Sequence, residues 1–127
     1  MIVEVNCETD FVAKTDDFKA LVANVAKLVA EKNPADVDAL MAADCGNGTV
    51  AEMITRAVAK IGEKITIRRF ARVEAANGCV DTYIHLGGKI GVLVEVAGDV
   101  AGHAAAIHDV AMHIAAAKPV CISKEDC

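Results

Sequence analysis

The chain is poor in aromatic side chains: its 127 residues include no tryptophan, one tyrosine and three phenylalanines. A surface that stacks nucleic-acid bases needs several aromatic side chains together with positive charge. Acidic residues instead outnumber basic residues by 18 to 13, and the net charge is −5. The one basic cluster, Lys64–Arg72, alternates over two faces of a predicted strand. We therefore expect no direct nucleic-acid partner.

Long apolar runs are also absent. No stretch approaches the roughly 18 apolar residues of a membrane-spanning helix, and Met1–Glu4 lacks the basic and apolar regions of a signal peptide. The negative charge also disfavours binding to an anionic membrane, so we expect no membrane partner. The apolar share is still 54%, most of it alanine and valine, which predicts a closely packed aliphatic core.

Residues with catalytic or metal-binding chemistry are not spaced as such sites require. The five cysteines are odd in number and show no CxxC pair, which favours free thiols over a disulfide framework. Nothing in the sequence places a histidine beside Cys7 to activate it as a nucleophile. His103, His108 and His113 are five residues apart, so each is turned by about 140° around a helix from the one before, and they share no metal-binding face.

A glycine-rich stretch, Gly46–Ala51, fits the dinucleotide-binding fingerprint. That motif must follow a strand within a parallel unit, whereas helical patterns flank it here. We interpret it as a loop followed by a helix cap. The sequence therefore predicts no cofactor, no metal ion and no enzyme activity.

A short strand and a long amphipathic helix open the predicted structure. Ile2–Val5 is rich in β-branched residues and predicts a strand. Thr15 is a suitable N-cap for the long helix, which Asn33–Pro34 ends. The same pair is predicted to open a second, shorter helix, with Pro34 at its first helical position. The apolar residues of the long helix recur three and four positions apart. They are Phe18, Leu21, Val22, Val25, Leu28 and Val29.

A third helix precedes three strands. Thr49 and Glu52 form a capping-box pattern at its start, and Gly62 is a suitable stop. Asn77–Gly78 and Gly87–Gly88 predict turns between the strands that follow. In the first of these strands apolar residues recur at every second position, and Arg69 is the exception on the apolar face. We predict one face formed by Ile65, Ile67, Ala71 and Val73 and the other by Thr66, Arg68, Phe70, Arg72 and Glu74.

A last helix ends before Pro119 and completes the order β-α-α-α-β-β-β-α. We predict a single domain over residues 1–127. Because hairpins join the strands, the predicted class is α+β, with an antiparallel three- to four-stranded sheet and helices packed on one face.

An acid stands beside a bulky aromatic where the first strand meets the long helix. Thr9 can cap a helical turn, because its hydroxyl can accept an N–H two or three residues later. Phe11 would then lie in the first turn, although the long helix already has its own apolar stripe. Phe11 is either a packed core residue, the usual fate of an apolar side chain, or an exposed probe for a partner.

Four separated blocks extend this signal over nearly the whole chain, from Val3 to Pro119. In order they are Asn6–Lys14, Ile61–Arg69, Tyr83–His85 with Gly88–Val94, and Ala111–Ala116 with Lys118–Pro119. Together they resemble the bacterial elongation factor Ts family. Any one block is only suggestive, but four in the same order are specific.

The resemblance implies a guanine-nucleotide exchange factor. Such a protein binds elongation factor Tu, both GDP-bound and nucleotide-free, and promotes GDP release by disturbing its magnesium and phosphate site. Exchange needs coupled binding equilibria rather than bond chemistry. The alternative is a non-catalytic interaction or dimerisation module, including a homodimer formed through the sheet. The implied location is the bacterial cytoplasm, with an organelle matrix as the alternative.

The resemblance also assigns a first contact with the partner. Asp10 and Phe11 would approach the nucleotide-binding domain of elongation factor Tu near its magnesium ion, with Phe11 inserted between helices. Thr9 and Asp10 would cap and shape this turn, and Val12 would pack beneath it. Ile61, at the end of the third helix, matches a further contact position.

A second contact is implied on the last hairpin. His85 would touch the same partner domain, and Gly87 and Gly88 would let the hairpin approach closely. Lys89 stands where arginine is common in the family. We expect a core module that lacks the N-terminal helical domain, a strand before Ile2, and the later helical hairpin and second half-core of longer members.

Overall fold

Four strands and five α-helices form the protein, and the computed structural model describes all residues from 1 to 127. The predicted α+β class and order of elements are confirmed, and the capped turn at Thr9 is a short helix. None of the helices has the length and apolar character needed to cross a membrane. The elements are β1 (Ile2–Asn6), α1 (Asp10–Ala13), α2 (Asp16–Lys32), α3 (Val37–Ala42), α4 (Val50–Ile61), β2 (Thr66–Ala71), β3 (Gly78–His85), β4 (Ile90–Ala97) and α5 (Ala104–Ala117).

The strands form two antiparallel pairs, β1 with β2 and β3 with β4, instead of one continuous sheet. The chain divides accordingly into two compact units, residues 1–72 and residues 73–127. Asn77–Gly78 does not form the predicted hairpin turn between β2 and β3, because these two strands are not paired with each other. Gly98 N–H donates to the Asn77 carbonyl (2.9 Å) and closes the β3–β4 ladder, while a Cβ on Gly78 would collide with the Val96 carbonyl. The single domain remains a prediction.

Helix caps define the helices of the first unit. The Thr15 hydroxyl accepts the Phe18 N–H at the start of α2, and Asn33, in the left-handed region at φ 45°, ends it. The prediction that Pro34 opens the next helix is wrong. The Asp36 carboxylate accepts the Ala39 N–H at 2.8 Å, so α3 begins only at Val37, where this cap satisfies a free donor. The Thr49–Glu52 capping box of α4 and its stop at Gly62 are confirmed.

A β-bulge changes the side-chain pattern of β2. Glu4 lies opposite Arg69 and Val5 opposite Ile67, so Arg68 has no counterpart in β1. One extra residue reverses the alternation beyond it. Phe70 therefore packs against the core of the first unit and Ala71 is exposed, which corrects the predicted faces.

The bulge also explains the arginine that interrupts the predicted apolar face. Arg69 is exposed and donates to the Glu4 carboxylate at 3.0 Å. A hydrogen bond from Asn6, and then the bond from Arg69, hold the pKa of Glu4 below its usual value. Both interactions lie on the solvent side of β1.

The core of the first unit forms where α2, α3, α4 and β2 meet. Val25, Val29, Leu40 and Val50 are fully buried. The complete set of buried residues is Phe18, Leu21, Val25, Val29, Leu40, Val50, Ile54, Ile65 and Ile67. Four of the apolar residues predicted along α2, namely Phe18, Leu21, Val25 and Val29, belong to this core.

The second unit packs α5 against the β3–β4 pair. Val92 of β4 and Ala111 and Ala115 of α5 form its buried cluster. Cys121 and Cys127 are disulfide-bonded, with their Cα atoms 5.6 Å apart. The prediction of free thiols is wrong for this pair, because a 3₁₀ turn folds the last residues back, and it holds for the other cysteines.

Replacement of Phe18 by alanine tests the core of the first unit. Phe18 is only 6% exposed, so Phe18→Ala should lower the free energy of unfolding by about 3–5 kcal/mol through lost burial and a cavity. Urea denaturation followed by circular dichroism measures this change. Phe11→Ala is the matched control and should stay within about 0.5 kcal/mol, because that ring is exposed. Equal losses in both variants would contradict the packing described.

Candidate functional site

The helical turn α1 carries the residues predicted to meet a partner. Thr9 is its N-cap, and the hydroxyl of Thr9 accepts the Val12 N–H at 3.3 Å. The Phe11 side chain is 86% exposed, so this ring is not a packed core residue, and its contact with a partner remains a prediction. Asp10 is also exposed. Val12 is half-buried and packs against the core of the first unit, beneath the turn.

The exit of the turn is held as well as its entrance. The Thr15 hydroxyl and the Thr15 N–H both donate to the Val12 carbonyl, at 2.7 and 3.0 Å. Thr15 also caps α2 through Phe18. Phe11 therefore projects from a turn whose two ends are hydrogen-bonded, and its exposure does not come from a loose segment.

Glu63 lies against this turn, although nothing in the local sequence singles it out. Its Oε1 accepts the Glu8 N–H at 3.1 Å and the Thr9 N–H at 3.0 Å. Its Oε2 accepts the Thr9 hydroxyl at 2.7 Å. In return, the Glu8 carboxylate accepts the Lys64 N–H at 3.2 Å. The one sequence signal for this pairing is that Glu8 and Thr9 lie in the first family-like block, and Glu63 and Lys64 in the second.

Ile61 is the last residue of α4, immediately before the loop that carries Glu63. It is half-buried and packs against the same core as Val12. Gly62 then reverses the chain at φ 84°. The predicted residues Thr9–Val12 and Ile61 thus belong to one unit, and two of them, Val12 and Ile61, pack against its core.

The tip of the β3–β4 hairpin carries the other predicted residues. His85 ends β3 and is half-buried, and its Nδ1 lies 2.8 Å from the Tyr83 hydroxyl. Gly87 and Gly88 are exposed and have φ of 65° and 103°, values that glycine adopts without strain. These residues belong to the second unit.

Two exposed apolar side chains flank this histidine, and neither is among the predicted contact residues. Ile84 is 59% exposed and Leu86 is 61% exposed. Alternation along β3 could have indicated Ile84, because it lies on the face opposite Tyr83 and His85. The hairpin tip thus offers apolar surface beside one imidazole ring.

A polar row continues from His85 along one face of β3. His108 Nδ1 lies 2.8 Å from the Asp81 carboxylate. The rings of His108 and Tyr83 meet edge to face, with their centroids 5.7 Å apart. The hydrogen bond from His108 holds the pKa of Asp81 below its usual value. No three histidine, cysteine or acidic side chains are grouped to hold a metal ion.

Cys7 lies beneath the α1 turn as a protonated thiol. Its Sγ–H donates to the Thr9 carbonyl at 3.3 Å. Burial, followed by the negative charge of Glu63, raises the pKa of the Cys7 thiol. A raised pKa reduces the thiolate that a nucleophile needs, so the chemistry of Cys7 is that of a packing group.

Comparison with known proteins gives the same family over both units. The family profile described as Elongation factor TS matches residues 8–127. The chain is also similar to curated proteins named Elongation factor Ts. The protein from Aromatoleum aromaticum is 61% identical over 118 residues, which cover 93% of this chain and 38% of that protein.

Two further relatives with the same name show similar coverage. The protein from Burkholderia thailandensis is 53% identical over 125 residues, 98% of this chain and 41% of that protein. The protein from Chromobacterium violaceum is 52% identical over 124 residues, 98% of this chain and 41% of that protein. The chain therefore spans about two fifths of the length of these relatives.

The pH dependence of Cys7 alkylation tests the surroundings of this thiol. Because burial and Glu63 raise its pKa, the rate with iodoacetamide should rise at a higher pH than for a model thiol such as N-acetylcysteine amide. Mass spectrometry of the peptide that contains Cys7 measures this rate. Glu63→Gln removes the neighbouring charge and should move the midpoint down. A Cys7 midpoint at or below that of the model thiol would contradict the assignment.

Proposed function

The chain belongs to the elongation factor Ts family, and from this premise we propose that it binds elongation factor Tu and promotes the release of GDP. The observation that carries the proposal is the Phe11 ring, 86% exposed on a hydrogen-bonded turn. The other two phenylalanines, Phe18 and Phe70, pack against the core of the first unit. A single exposed aromatic on a fixed turn is well suited to burial in a partner.

The exposed ring is a source of binding free energy. Burying a phenylalanine side chain contributes about 1.5–3 kcal/mol. Each tenfold change in a binding constant corresponds to about 1.4 kcal/mol, so this one ring can change an affinity by about one to two powers of ten. We propose that Phe11 inserts between helices of elongation factor Tu beside its magnesium site.

Insertion at that site weakens GDP binding through thermodynamic coupling. A factor that lowers the affinity of elongation factor Tu for GDP must itself bind the nucleotide-free form more tightly by the same ratio. Displacing groups that hold magnesium and phosphate requires no bond to be made or broken in the factor. Asp10 beside the ring adds negative charge near the ion, and Thr9 and Val12 hold the turn.

Further contacts extend the proposed interface. His85 binds the same domain of elongation factor Tu from the hairpin tip, where the exposed Gly87 and Gly88 permit close approach. Ile61 contributes at the end of α4. The proposed partners include neither nucleic acid nor a membrane, and the proposed place of action is the bacterial cytoplasm.

A non-catalytic interaction or dimerisation module is the second candidate function. Each strand pairs with only one other strand, so every strand keeps one edge that could pair with a second copy. This chain would then bind elongation factor Tu or itself without releasing nucleotide.

Release of a fluorescent GDP analogue from elongation factor Tu separates the two functions. With the chain added in excess, the observed rate constant should rise with its concentration and reach a plateau. Binding without faster release, or dimerisation alone by analytical ultracentrifugation, would favour the second function and contradict the exchange proposal.

Phe11→Ala should lower the stimulated release rate by about 10- to 100-fold, because the removed ring contributes about 1.5–3 kcal/mol when buried. The measurement is the plateau rate constant with the fluorescent nucleotide. Val120→Ala removes another apolar side chain, 96% exposed, and is the matched control that should leave the rate unchanged. An unaltered plateau in Phe11→Ala would remove the ring from the mechanism.

His85→Ala should weaken binding to elongation factor Tu by about 2- to 10-fold, the range expected for one hydrogen bond. Isothermal titration calorimetry measures the dissociation constant. His103→Ala, at an exposed histidine before α5, is the control. Equal dissociation constants for His85→Ala and the unaltered chain would exclude the hairpin contact.

A further inference from the structure

We infer that Glu63 is a positioning residue, whose carboxylate holds the α1 turn so that Phe11 points outward in one orientation. This inference rests on the proposed function, because the orientation matters only if Phe11 meets a partner. Glu63 itself lies in the loop between α4 and β2 and need not touch that partner.

The Glu63 carboxylate satisfies several hydrogen-bond donors at the start of the α1 turn. Glu63 accepts two backbone N–H groups, from Glu8 and Thr9, at 3.1 and 3.0 Å. It also accepts the Thr9 hydroxyl at 2.7 Å. Hydrogen bonds to an ionised acceptor are stronger than those between neutral groups. All three donors come from the two residues that lead into α1.

Glu63 also sets the direction of the Thr9 hydroxyl. Its oxygen accepts the Val12 N–H at 3.3 Å while its own hydrogen goes to Glu63. Donation to Glu63 leaves the lone pairs of that oxygen for Val12, so the two bonds form one polarised chain. Without Glu63 the hydroxyl could rotate and the cap of α1 would no longer be oriented.

The loop that carries Glu63 is itself held in place. Gly62 reverses the chain after α4, and Ile65 is buried two residues beyond Glu63. The Lys64 N–H donates to the Glu8 carboxylate at 3.2 Å, so each segment supplies a carboxylate to the backbone of the other. The turn is thereby tied to the core through the loop as well as through Val12.

The affinity for the partner depends on the fraction of free molecules in which the α1 turn already holds the binding conformation. When only a fraction of molecules holds the binding conformation, the apparent dissociation constant rises by the inverse of that fraction. Loss of Glu63 should therefore raise the concentration of the chain needed for half-maximal release. The plateau rate should change little, because the ring makes the same contacts once it is bound.

Glu63→Ala and Glu63→Gln, compared with the unaltered chain, test this role. Glu63→Ala should raise the half-saturating concentration in the release assay at least tenfold and change the plateau by less than about twofold. Glu63→Gln keeps one oxygen for the backbone donors but loses the second acceptor, so its effect should be smaller. Glu31→Ala removes an exposed acid of α2 and is the matched control.

Amide hydrogen exchange gives a readout that needs no partner. In Glu63→Ala, which leaves the Glu8 and Thr9 N–H groups without their acceptor, the amides of these two residues should exchange at least tenfold faster while those of α2 stay unchanged. Uniformly faster exchange would show general destabilisation and would overturn the local role.

These experiments distinguish failure of the proposed function from failure of the positioning role of Glu63. No stimulation of GDP release by the unaltered chain would overturn the proposed function and, with it, the purpose of the positioning. Normal stimulation by the unaltered chain, with an unchanged half-saturating concentration in Glu63→Ala, would overturn the role of Glu63 alone.

Discussion

The hydrogen bonds between the Glu63 carboxylate and the Glu8–Thr9 segment join parts of the chain that are 54 and 55 residues apart. Hydrophobic packing is not directional, so the core beneath Val12 can anchor the α1 turn but cannot orient it. Hydrogen bonds are directional, and their number here leaves the turn little freedom. The geometry of the exposed tip is therefore set by the loop after α4, which the core of the first unit holds in place.

The chain uses its few aromatic side chains in opposite ways. Phe18 and Phe70 add to the core of the first unit, whereas Phe11 remains in water. Folding could gain free energy by burying this ring as well, and a sequence shaped by stability alone would do so. The exposed ring instead represents binding free energy that is available to a partner, and the capped turn limits the entropy that would be lost on association.

Local signals in the sequence predict most of the helical structure, because a cap needs only residues three or four positions apart. The caps at Thr9, Thr15 and Thr49 follow from this rule. The bulge at Arg68 and the separate strand pairs do not, because they depend on which strands meet in space. The same limit applies to the site: the exposed Phe11 can be suspected from sequence, but the contacts of Glu63 require the folded chain.

Under the proposed function, the two predicted contact regions have different consequences for nucleotide exchange. A ligand that binds two states of its partner equally well does not shift the balance between them. In the proposed interface, His85 on the hairpin contributes equally to binding of the GDP-bound and nucleotide-free forms of elongation factor Tu, and then adds affinity without accelerating release. In the proposed mechanism, Phe11 becomes fully buried beside the magnesium site only when the groups that hold GDP have moved. The proposed coupling therefore depends on the orientation of this one ring, and in this proposal the hydrogen bonds from Glu63 to the turn determine how often the free chain presents it correctly.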